Sequence, residues 1–224
     1  MNLSTEDIDH SLVDEQSCVD VDKFNSVHEL VIKGKKALKS GGGMLALKKK
    51  LVNEINIFSE KHDAPPELDL DNEYQSIILD NWIEELLRFL ALKTITGDYT
   101  EPCQLLPGHG VNVGWKVLIK IPSLYSKVCL SMGNQTVFDH NPSDTVQHRV
   151  KENHKIKRFN ATLRAYESYF DEQPQVLYWS YHPKEKEHYV LGFLNQLCGC
   201  DTSVISYPFT LNDDLGMSPA QIVE

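Results

Sequence analysis

The chain has 224 residues, 41% of them hydrophobic and 24% charged, which is enough apolar material for one large domain or two small ones. Its formal charge of -10 is concentrated at the start: Glu6, Asp7, Asp9, Asp14, Glu15, Asp20 and Asp22 all precede the first basic residue, Lys23. The body that follows is only mildly acidic, which argues against general attraction to nucleic acid or to an anionic membrane surface.

No stretch approaches the ~18 to 20 continuous apolar residues of a membrane span. The acidic N-terminus has no apolar core of a signal peptide and lacks the arginines of a transit peptide, so neither is expected. Cys18, Cys103, Cys129, Cys198 and Cys200 are an odd set without a secretory signal. Reduced thiols in the cytosol or nucleus fit them better than a disulfide framework, and the expected location is cytoplasmic.

In chain order, residues 1–20 are polar and acidic and are expected to be a disordered tail. Phe24, Val27, Val31 and Leu38 predict an amphipathic helix over 21–38, weakened by Gly34. Ser40-Gly41-Gly42-Gly43 interrupts it. Leu47, Leu51, Ile55 and Phe58 predict a second helix over about 44–62, with Lys48, Lys49 and Lys50 as a solvated face. Ala64-Pro65-Pro66 stops it.

The strongest signal spans about 72–94. Leu79, Ile83, Leu86 and Leu90 form one stripe, which Ile78, Trp82 and Phe89 widen, so this helix is expected to be buried on more than one side. Glu84 and Arg88 form an i,i+4 pair on its remaining polar surface. Gly97-Asp98 ends it. A short helix is expected over about 112–120, another from Pro122 to about Met132, and a long polar one over 145–170 carrying Val150, Ile156, Phe159, Leu163 and Tyr166. Pro174 ends that helix. Segments 176–180, 188–193 and 203–209 read as short strands or extended pieces. The expected fold is therefore mainly α: a multi-helix globular domain over 21–210 with a small extended or β C-terminal part, and a frayed end over 211–224.

Few constellations carry chemistry. Gly41-Gly42-Gly43 precedes a helix, but no Gly-Lys-Ser/Thr follows, so it reads as an inter-helix link rather than a phosphate loop. Cys198-Gly199-Cys200 has no second cysteine pair at zinc-finger spacing. His148 and Glu152 lie at i,i+4, but His154 falls on another face, so no His-Glu-x-x-His site forms. Arg149, Lys151, Lys155, Lys157, Arg158 and Arg164 make the long helix locally basic. A charge run of this kind is usually solvated, and it lacks the interleaved aromatics of an RNA platform. Arg149, Lys151, Lys155, Lys157 and Arg158 are the candidate interaction surface.

The segment from Val111 to Trp179 holds the most ordered set. It contains Val-Asn-Val-Gly-Trp-Lys-Val-Leu-Ile over 111–119, then Pro122, Tyr125 and Cys129, then Val137-Phe138-Asp139-His140-Asn141-Pro142. Arg158, Thr162, Leu163, Tyr166, Phe170, Pro174 and Trp179 follow. Together with Arg88, Phe89, Leu90 and Lys93, this order resembles a family that includes plant glycine-rich-domain proteins. That family's pattern is an Asp, then Trp-His, then Pro-x-x-Tyr-x-x-x-Cys, then His-His-Asn-Pro. The likeness covers about residues 80–180 and implies a mainly helical domain of poorly defined activity.

The departures fall on the polar positions. Asn112 replaces the Asp, Lys116 replaces the His after Trp, and Asp139 replaces the first His of the pair. A protonated Lys116 offers no lone pair and repels a cation, so a zinc site at Cys129, Asp139 and His140 is not expected. Trp115, Tyr125 and Cys129 read instead as packing residues, with His140 hydrogen-bonded in the following loop. The candidate motif residues are Trp115, Tyr125, Cys129, Asp139 and His140. The expectation is a non-catalytic protein-interaction module, with protein partners, no cofactor, no resident metal and no membrane. The alternatives are a metal- or thiol-dependent enzyme centred on Cys129 and His140, and RNA or ribonucleoprotein binding through the helix over 145–170.

Overall fold

The computed structural model describes residues 21–61, 68–99, 104–140 and 148–180. Seven α-helices run through them: α1 (Val21–Lys39), α2 (Gly43–Lys61), α3 (Glu73–Ile95), α4 (His109–Ile119), α5 (Pro122–Ser131), α6 (His148–Phe170) and α7 (Val176–Trp179). A 3-10 turn at Ser40–Gly42 links α1 to α2. There Gly41 and Gly42 take φ of 73° and 76°, a conformation that costs a side-chain-bearing residue energy but not glycine. The expected link between the first two helices is thus a reversal built on two left-handed glycines.

The helix α3 is the centre. Asn72 caps its start by accepting a hydrogen bond from the Gln75 amide, one of the donors a helix N-terminus leaves unpaired. Trp82, Leu86 and Phe89 are all buried, as are Leu79, Ile83 and Leu90. The helices α1, α4 and α6 pack on this broad face, and the rings of α7 reach it too. The helix α1 also packs on α5 and α6, and α4 packs on α2, α5 and α7. Val27, Val31 and Leu38 of α1, Leu47, Leu51 and Ile55 of α2, and Phe159, Leu163 and Tyr166 of α6 all face this core. The side chains of Phe24, Phe58 and Val150 lie outside the described part. No helix among the described residues is long and apolar enough to cross a membrane.

Two expectations are corrected. Residues 176–180 are not a strand: Val176–Trp179 is a single helical turn, and no strand occurs among the described residues. A strand sends consecutive side chains to opposite faces. Here Tyr178 and Trp179 must both reach α3. Tyr178 Oη donates to the Ile78 carbonyl at 3.0 Å, and Trp179 Nε1 donates to Glu85 at 2.6 Å. In a helical turn the two stand about 100° apart rather than opposed, so both reach α3. The second correction concerns Lys48, expected on a solvated face. It is buried, with Nζ 2.7 Å from Asp80 and 3.0 Å from Ser76 Oγ, so it clamps α2 to α3. The expected segments 1–20, 188–193, 203–209 and 211–224 lie outside the described residues.

The turn α7 fits where it does because of glycines at the start of α4. Gly108 and Gly110 lie directly against the Trp179 and Tyr178 backbones. A Cβ at Gly108 would sit 2.6 Å from the carbonyl carbon of Trp179 and 2.7 Å from its oxygen. The His109 amide donates to the Ser180 carbonyl at 2.9 Å, and Trp82 Nε1 donates to the Gly110 carbonyl at 2.7 Å. Backbone cannot yield as a side chain does. Gly108→Ala is therefore expected to destabilise the fold by about 1–3 kcal/mol, read from chemical denaturation. Unchanged stability would show that α7 does not seat on α4.

Candidate functional site

The motif residues meet where α4 turns into α5. Trp115 Nε1 donates to the Tyr125 hydroxyl at 3.1 Å, and that hydroxyl donates to the Phe138 carbonyl at 2.7 Å. Cys129 follows Tyr125 by one helical turn and is completely buried, beside the Tyr125 hydroxyl and the Phe138 backbone. His140 lies edge-on to the Trp115 ring, with centroids 4.8 Å apart at 77°. Its Nε2 is 3.4 Å from Asn112 Oδ1, and the tautomer protonated at Nε2 donates to that oxygen. Trp115, Tyr125, Cys129 and His140 are thus brought together. Asp139 is exposed, and its backbone amide donates to the Tyr99 carbonyl at 3.0 Å.

The electrostatics favour neutral groups. Burial pushes the Cys129 thiol up, so it stays protonated at neutral pH, whereas a reactive cysteine needs a lowered value. Burial also pushes the Tyr125 hydroxyl up, with Cys129 adding to the shift. His140 is held below the usual imidazole range, first by burial and then by the Lys116 ammonium. Among the described residues no group of three or more His, Cys, Asp and Glu side chains is placed to hold a metal ion.

The lowered His140 value gives a pH dependence of definite sign. The unfolded imidazole takes up a proton near ~6.5, before the folded one does. The contribution of His140 to stability is present above that value and is lost as pH falls below it. Replacing His140 by Gln is expected to flatten this part of the acid limb in denaturation curves measured against pH. An unchanged acid limb would refute the assignment.

Two buried polar centres on α3 escaped the sequence reading. In the first, Lys93 and Asp98 are both fully buried, with Nζ 2.6 Å from Asp98 Oδ2. The ammonium lies 5.7 Å from the ring centroids of Trp115 and Phe138 and 6.0 Å from that of Phe89, within cation–π range. The Leu105 amide also donates to Asp98 Oδ2, at 3.2 Å. The second centre is Glu85, buried and accepting hydrogen bonds from Trp179 Nε1 at 2.6 Å and Tyr166 Oη at 3.0 Å. Arg88 stands 3.7 Å from Glu85 and also engages Tyr166 and Glu172. Burial pushes the Glu85 carboxyl up, while Trp179, Arg88 and Tyr166 pull it back. The expected Glu84–Arg88 pair is present at 3.7 Å, but it belongs to this half-buried network. A signal existed for both centres: a helix apolar on several sides must bury the charged residues it carries, and buried charges need partners.

The basic residues of α6 do not share one role. Arg158 is half-buried, and its Nη2 donates to the Leu105 carbonyl at 3.0 Å. Four residues on, Thr162 accepts from the Leu106 amide at 2.8 Å. Both hold the segment before α4 against α6. Lys155 is half-buried and Lys157 exposed. The side chains of Arg149 and Lys151, like Cys198 and Cys200, lie outside the described part. No family model, curated protein or solved structure matches the chain.

Proposed function

We propose that the chain is a non-catalytic protein-interaction module, an adaptor or subunit of a larger assembly in the cytoplasm. The observation that carries the reading is the internal use of the motif's polar groups. The Trp115 indole, Tyr125 hydroxyl and Phe138 carbonyl form one closed hydrogen-bonded chain, with Cys129 buried beside it. Hydrogen bonds of this kind fix packing. A nucleophile or metal ligand needs an exposed or ionisable group, and burial holds this thiol protonated. The likeness of residues 80–180 to the family with Trp-His and His-His-Asn-Pro motifs belongs to the same proposal: the shared aromatic positions are those that pack, and the replaced polar ones are those a catalytic site would need. Lys116 beside His140 disfavours the enzyme alternative, because an ammonium at that place repels a metal cation.

The test is affinity capture of the tagged full chain from its native source. One protein is expected to co-purify at a fixed ratio, unaffected by ribonuclease and retained by His140→Ala. Capture that ribonuclease abolishes, or the absence of any protein at fixed ratio in low salt, would contradict the reading.

A further inference from the structure

From Leu30 to Asn53 the sequence has seven lysines and no acidic residue. Acidic partners take up three of them: Lys33 pairs with Glu29 at 2.8 Å, Lys35 with Glu84 at 2.6 Å and Lys48 with Asp80 at 2.7 Å. Lys36 and Lys39 are exposed one turn apart on the outer face of α1, and no ion pair reaches them among the described residues. Lys127 of α5 adds a third ammonium at this end, its Nζ donating to the Ser40 carbonyl at 2.9 Å. One turn before Lys36 on the same face, Ile32 is 63% exposed. The outer stripe of α1 thus joins an uncovered isoleucine to an unneutralised cluster of lysines.

We infer that this stripe is the docking surface for the chain's own acidic N-terminal segment. Residues 1–20 join α1 directly and contain Glu6, Asp7, Asp9, Asp14, Glu15 and Asp20 without a single lysine or arginine. Ile8, Leu12 and Val13 are interspersed among these carboxylates, a pattern that matches an isoleucine flanked by ammonium groups. Reach is sufficient. Val21 to Lys39 spans about 27 Å of helix, and the 15 residues from Glu6 to Asp20 extend to at most about 50 Å. Tethering supplies an effective concentration in the ~mM range, so a weak contact is well populated. The contact is electrostatic and dynamic. It shields the basic stripe until a more acidic surface displaces the segment. This inference does not depend on which protein, if any, the module binds.

The test uses the full chain in solution. Amide resonances of Ile32, Lys36, Lys39 and Lys127 are compared between the native chain and a variant with Glu6→Gln, Asp7→Asn, Asp9→Asn, Asp14→Asn and Glu15→Gln. They are expected to shift on neutralising the segment. The native chain should show the same shift in about 1 M salt, where the Debye length is ~3 Å. In a Lys36→Glu and Lys39→Glu chain, neutralising the segment should produce no such shift. Resonances on the α1 face that stay put when the segment is neutralised would overturn the proposal. So would shifts that scale with protein concentration, because they would place the segment on a second copy.

Discussion

Replacing Lys93 by Met is expected to cost about 3–5 kcal/mol of stability, because removing one partner leaves an uncompensated buried charge. The Asp98 carboxylate is fully buried, and among the described residues its Oδ1 already has no hydrogen-bond partner. Without the ammonium, the donor left to its other oxygen among the described residues is the Leu105 amide. The aromatic surround of Phe89, Trp115 and Phe138 suits a methionine by size. The loss should therefore come from charge rather than from a cavity. A double-mutant cycle separates the two: Lys93→Met with Asp98→Asn should recover most of the loss, since no buried charge is left. A single-variant loss below about 1 kcal/mol in denaturant titration would show that the pair does not hold the end of α3.

Removing the other buried centre by Glu85→Ala should cost a similar amount, about 3–5 kcal/mol. The carboxylate is the shared acceptor for Trp179 and Tyr166 and stands beside Arg88. Its loss leaves a buried indole N–H and a buried hydroxyl without it, each worth roughly 1–3 kcal/mol when unsatisfied. Three elements meet there, so α6 and α7 should both loosen from α3. The indole of Trp179 would then report its new exposure by fluorescence. Glu85→Gln keeps an acceptor oxygen and should lose less than half as much. Equal losses in the Ala and Gln variants would contradict the hydrogen-bonding account.

The helices were legible because apolar spacing decides them. The stripe of Leu79, Ile83, Leu86 and Leu90 predicted α3 and its burial, and Asn72 and Gly97 predicted its ends to within about a residue. The charged interior was not legible in the same way. The sequence places Lys48 on a solvated face and names no partner for Glu85 or Lys93, whereas the fold pairs Lys48 and Glu85 with partners that only tertiary packing reveals and Lys93 with Asp98, just past the end of α3. The pairs Lys48–Asp80 and Glu85–Trp179 are 32 and 94 residues apart in sequence. Residues 176–180 misled for a related reason. Aromatic and β-branched residues favour strands on average, but two neighbouring rings that must reach one helix require a turn. Gly108 and Gly110 carry no signal in the sequence of their role, because what requires them is the backbone of Tyr178 and Trp179, some seventy residues later in the chain.

The central claim is that the motif around Cys129 is structural. Site-resolved alkylation of the native full chain by iodoacetamide at neutral pH tests it most directly. Cys129 is fully buried, and its thiol is held protonated by burial. Its modification should therefore proceed only through unfolding, at least about 10³-fold slower than in the denatured chain. Rapid labelling of Cys129 in the folded protein, at a rate near that of a free exposed thiol, would contradict the account and favour the thiol-dependent enzyme instead.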